Sequence, residues 1–62
     1  RGIAERFADI KAALRRRGIS KSDVDLLIAA TALELDATLA TNDQALHDGT
    51  ITGLRVEDWL AV

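Results

Sequence analysis

The sequence predicts an α/β layered fold with a parallel sheet. Three observations lead there. The first half holds two segments whose apolar residues recur at helical spacing. The second half holds two short strand-like stretches, Thr38-Leu39-Ala40-Thr41 and Leu54-Arg55-Val56. Between those stretches lies a helix-capping pair, Asn42-Asp43. The order is helix, helix, strand, short helix, strand, and a strand–helix–strand run favours parallel pairing.

The first helix is expected from about Ile3 to Arg17. Ile3, Phe7, Ile10 and Leu14 form one stripe, with charged residues on the other faces. Arg15-Arg16-Arg17 falls in the last turn, where cations suit the helix dipole, and Gly18 follows as a left-handed stop. Ser22 is a good N-cap for a second helix over Asp23 to Leu35, and Asp25 stands where a capping box has Glu. This helix is apolar on nearly every side, which predicts burial between layers.

Thr38 to Thr41 reads as the first strand. Asn42-Asp43 caps a short helix from Gln44 to Asp48, and Gly49 ends it. Thr52-Gly53 marks a turn before the second strand, and Glu57 to Leu60 reads as a terminal helical turn. Two strands are too few for a stable sheet of this kind, so further strands are expected from an N-terminal part or another chain. The chain begins with Arg1 and contains no methionine. Residues 1–62 are therefore expected to be a fragment of one longer domain, the alternative being a chain that has lost a tag.

Composition narrows the chemistry. The chain has 62 residues, 48% hydrophobic and 29% charged, which is globular and not disordered. A net charge of -2 gives no global basic field for nucleic acid. With no cysteine and one histidine, thiolate and His-rich zinc sites are excluded. Any metal would need carboxylate ligands, which points to Mg²⁺ or Mn²⁺. No apolar run reaches membrane-spanning length and no signal peptide is present, so a cytoplasmic protein without membrane contact is the expectation.

Asp25 and Asp43 are the candidate ligands. From Asp25 the second helix runs out about 15 Å, and the strand returns about the same length. Both carboxylates should then reach one edge, the carboxyl end of the strands, where open α/β sheets bind ligands. Each would sit at a helix N-terminus, which favours the ionised form. Each is also, taken alone, an ordinary cap.

The ordered motifs resemble the C-terminal part of a PIN domain, in particular the VapC-type toxins of bacterial toxin–antitoxin pairs. They are Asp25-Leu26-Leu27-Ile28-Ala29-Ala30, Thr41-Asn42-Asp43 with Leu46, and Gly53-Leu54-Arg55-Val56 with Trp59. Leu14-Arg15-Arg16-Arg17-Gly18 resembles the loop that precedes them in that family. The resemblance implies a three-layer domain and a Mg²⁺- or Mn²⁺-dependent endoribonuclease. Asp25 and Asp43 would be metal-binding and catalytic, with Thr41 and Asn42 in support. It also implies an RNA substrate, a cognate antitoxin protein and a homodimer. The family's first-strand Asp and following Glu have no counterpart here, since Glu5 and Asp9 lie on the wrong helix. The site would therefore need the N-terminal half of the same protein, and this chain alone would be inactive.

Other residues read more plainly. His47 is expected to be a solvated helix-end side chain and not a general base. Arg15-Arg16-Arg17 is either a phosphate grip or a solvated helix end. Trp59 is expected to plug the core and not to stack on a base. The competing functional class is a non-catalytic helical interaction module, or a DNA-binding helix-turn-helix. The apolar middle of the second helix offers no side chain to read bases.

Overall fold

The computed structural model describes residues 2–58. It contains α1 (Ile3–Arg16), α2 (Asp23–Glu34), β1 (Thr38–Ala40), α3 (Gln44–His47) and β2 (Arg55–Glu57). Helix and strand are mixed, and the sheet has two strands in parallel, with Leu39 opposite Val56. α3 lies in the crossover that parallel pairing requires.

The stop of α1 follows from Gly18. Its φ of 72° is left-handed, a region open to glycine without steric cost. The Gly18 N–H donates to the Arg15 carbonyl (3.0 Å) and the Ile19 N–H to the Leu14 carbonyl (2.9 Å). Those two bonds make a Schellman motif, and Ile19 turns inward onto the cluster containing Leu14. α2 ends the same way around Asp36, whose φ is 53°. The Ala37 N–H reaches the Ala32 carbonyl at 2.9 Å. Arg55 at the start of β2 donates to the Asp36 carbonyl and carboxylate, placing a cation at the carbonyl end of α2.

The core is Leu14, Leu26, Ala29, Leu46 and Ile51, with Phe7, Ile10, Ile19, Leu33, Leu39 and Leu54 packed around it. α1 lies along α2. Ala29 and Ala30 are fully buried, so small side chains mark where neighbouring elements come closest to α2. The α1 stripe is graded: Leu14 is buried and Ile3 is exposed.

Several expected boundaries shift. β1 ends at Ala40, and Thr41 only donates its N–H to the Glu57 carbonyl (2.9 Å). β2 starts at Arg55 because the Leu54 N–H is used in the preceding turn, on the Ile51 carbonyl. Gly53, with φ 82°, supplies the third position of that turn. Glu57 belongs to β2 and Asp58 is in no helix, so the expected helical turn does not begin there; Trp59 and Leu60 of that turn, and the Trp59 core plug, lie outside the described residues. α2 is not enclosed either. Leu26, Ala29, Ala30 and Ala32 are buried, whereas Val24, Leu27, Ile28 and Leu35 are exposed. A two-stranded sheet and one helix cannot cover a helix that is apolar all round. Among the described residues, no helix is long and apolar enough to cross a membrane.

Candidate functional site

The loop leaving β1 is fixed by its own side chains. Thr41 Oγ1 accepts the Asp43 N–H at 3.1 Å. Asp43 Oδ1 accepts the Ala45 N–H at 3.0 Å, capping α3. The Leu46 N–H closes the first turn on the Asp43 carbonyl (3.0 Å). His47 returns to the loop and hydrogen-bonds the Thr41 carbonyl through Nε2. A carbonyl oxygen only accepts, so Nε2 carries the proton. His47 is thus half-buried and structural, which corrects the expectation of a solvated side chain.

At the start of α2, Ser22 Oγ accepts the Asp25 N–H at 3.1 Å. This is half of a capping box; the Asp25 carboxylate makes no return bond to Ser22, since Asp is one methylene shorter than Glu. Asp25 is half-buried, and Asn42 and Asp43 are exposed. Asp23, in the same turn, pairs with Lys11 at 3.1 Å.

Lys21 brings the two helix starts together. It stands one residue before the Ser22 cap, and its side chain is only 5% exposed. Nζ donates to the Ala45 carbonyl and to Asp48 Oδ2, the latter at 2.7 Å. The N-terminal end of α2 therefore lies beside α3, the helix that Asp43 caps. The hydrogen bond from Lys21, and those from the Thr50 hydroxyl and N–H, hold the Asp48 carboxyl far below the usual carboxylate range. Sequence reasoning missed this pair. A lysine before a cap and an aspartate after a short helix carry no periodic signal, and their meeting depends on tertiary packing.

The carboxylate oxygens of Asp25 and Asp43 are of the type a hard cation takes. Asp43 commits Oδ1 to its cap and retains Oδ2; the Asp25 carboxylate accepts no hydrogen bond among the described residues. Two carboxylates completed by waters are a usual way to hold Mg²⁺. They do not make a closed cage: among the described residues, no group of three His, Cys, Asp or Glu side chains gathers as a ligand set. Glu5 and Asp9 lie on α1.

Arg17 donates through Nη1 to the Thr50 carbonyl (2.9 Å), so one member of the arginine cluster ties α1 to the turn before β2. Arg15 and Arg16 are exposed. Two cavities lie apart from Asp25 and Asp43. One of about 270 Å³ sits between α1 and the Thr50–Thr52 turn, and one of about 390 Å³ lies between α2 and β1. Comparison with protein-family models, curated proteins and solved structures returns no match to this chain.

Proposed function

We propose that the chain carries part of the acidic site of a metal-dependent endoribonuclease of the PIN type, a toxin of a toxin–antitoxin pair. The observation that supports this most is the junction at Lys21. It sets the helix start bearing Asp25 beside the short helix capped by Asp43. The ordered motifs supply the family. On this reading the two-stranded sheet is one side of a three-layer domain, completed by an N-terminal half that supplies the remaining acids.

The roles of this chain's own residues follow from their contacts. The Asp25 carboxylate and Asp43 Oδ2 would hold Mg²⁺ or Mn²⁺. Bound there, such an ion supplies Lewis-acid stabilisation of phosphate charge and a more acidic water. Thr41 orders the loop by accepting the Asp43 N–H, and His47 holds the Thr41 carbonyl from the other side. Asn42, exposed between them, offers an amide to RNA or to bound water. An antitoxin protein and a second copy of the chain are the proposed protein partners, and the cytoplasm the proposed location.

The second reading, an interaction module, draws on the exposed face of α2. Val24, Leu27, Ile28 and Leu35 present no charge on that face. A helix-turn-helix reader is disfavoured by the same residues, because none can donate or accept at a base edge.

Thermal unfolding of the longer protein, with its N-terminal half, in Mn²⁺ and in EDTA tests the metal reading. Cation at about 100 times its Kd adds about 2.7 kcal/mol to stability, so the midpoint should rise. Asp25→Asn should abolish the rise. An identical midpoint in Mn²⁺ and EDTA for that unmodified protein contradicts the metal site and leaves the interaction module. Mn²⁺-dependent cleavage of single-stranded RNA by the protein with its N-terminal half then tests the nuclease class.

A further inference from the structure

We propose that Lys21 is a positioning residue that fixes the placement of Asp25 relative to Asp43. The inference rests on the reading of those two carboxylates as cation ligands. It adds a residue that neither binds the cation nor touches RNA.

The contacts form one path. Asp43 Oδ1 grips Ala45 by its N–H, and Lys21 grips the same residue by its carbonyl. Lys21 is followed directly by Ser22, whose hydroxyl holds the Asp25 N–H. The two carboxylate-bearing residues are therefore joined through capped helix starts and one buried ammonium. The far side is held as well. Asp48 Oδ2 takes the Lys21 ammonium at 2.7 Å, while Asp48 Oδ1 accepts the Thr50 hydroxyl (2.7 Å) and N–H (3.1 Å). A lysine head with so little exposure needs such partners, since a buried charge is costly unless paired.

An ordinary ion pair would stabilise the fold without concern for the cation, and the two roles separate by experiment. Mn²⁺ binding is measured from the free Mn²⁺ electron paramagnetic resonance signal on the longer protein, with its N-terminal half, unmodified and as Lys21→Met, Lys21→Arg and Asp48→Asn. Lys21→Met keeps the apolar stem and removes the donors. It should weaken Mn²⁺ binding by about tenfold, the lower end of what is lost when supporting groups around a metal are removed. Lys21→Arg, which retains donors and charge, should recover part of the loss. A second reading needs no metal: exchange of the Ala45 amide, followed by NMR, should quicken in Lys21→Met while the Leu14 amide in α1 keeps its rate. If Lys21→Met fails to fold, Asp48→Asn carries the same expectations from the solvent side. No Mn²⁺ binding by the unmodified longer protein overturns the ligand reading itself. Binding by the unmodified longer protein that is equally tight in the variants, with Ala45 exchange unchanged, overturns the positioning role alone.

Discussion

Lys21 Nζ lies 2.7 Å from Asp48 Oδ2, and this ion pair joins the residue before the α2 cap to the residue after α3. The lysine end is buried and the aspartate end is partly open to solvent. One contact thus adds a charged tie between two elements whose Leu26, Ala29 and Leu46 already share the core.

Acid should weaken the fold through this contact and one other. Lys21 holds the Asp48 carboxyl far below its ordinary 3.8, and Arg6 draws Glu34 below its ordinary 4.5. Both groups bind protons more weakly in the folded chain than in the unfolded one. Their contribution is therefore complete above those ordinary values and is lost as pH falls below them toward the folded values. Melting midpoints by circular dichroism should be flat from neutral pH to about pH 5 and fall below about pH 4. Asp48→Asn should make that fall shallower; an unchanged acid profile would remove Asp48 from the account.

Ser22→Ala should destabilise the chain by about 0.5–2 kcal/mol, because the Asp25 N–H then loses its partner. Ser22→Asn or Ser22→Asp should recover most of the loss. Urea titrations read both, and a silent Ser22→Ala would mean that the start of α2 is frayed in solution.

The two faces of α2 should respond oppositely. Leu26 is 2% exposed, and Leu26→Ala should cost about 2–5 kcal/mol by removing a core side chain. Leu27 is 51% exposed, and Leu27→Lys in dilute solution should stay within about 0.5 kcal/mol of the unmodified chain. A large loss for Leu27→Lys would show that something covers this face.

Much of this was legible in the residues, and the failures have physical causes. Gly18, Ser22 and Asp43 mark helix ends by local stereochemistry alone, so the order of elements and most boundaries were open to reading. The limits of β2 were not: whether Leu54 or Glu57 belongs to the strand depends on the Ile51–Leu54 turn and on the Thr41 N–H. Asp25 and Asp43 were expected at one edge because helix and strand lengths cancel, and the Lys21 contacts put the start of α2 beside α3. Lys21, Asp48 and the anchored His47 were not, because their roles come from partners 24, 27 and 6 residues away in sequence. The apolar pattern of α2 told which residues avoid water, but not that Val24, Leu27, Ile28 and Leu35 would lack cover.

On the proposed reading, Asp25 and Asp43 hold one divalent cation between them. Paramagnetic broadening by substoichiometric Mn²⁺ in the amide NMR spectrum tests it most directly, since each residue reports its own distance to the metal. The account predicts selective loss of the amide signals around Asp25 and around Asp43 at the same Mn²⁺ concentration, with α1 signals retained, and loss of both effects in either Asp25→Asn or Asp43→Asn. Broadening at only one of the two aspartates, or general broadening at every exposed carboxylate, would contradict it.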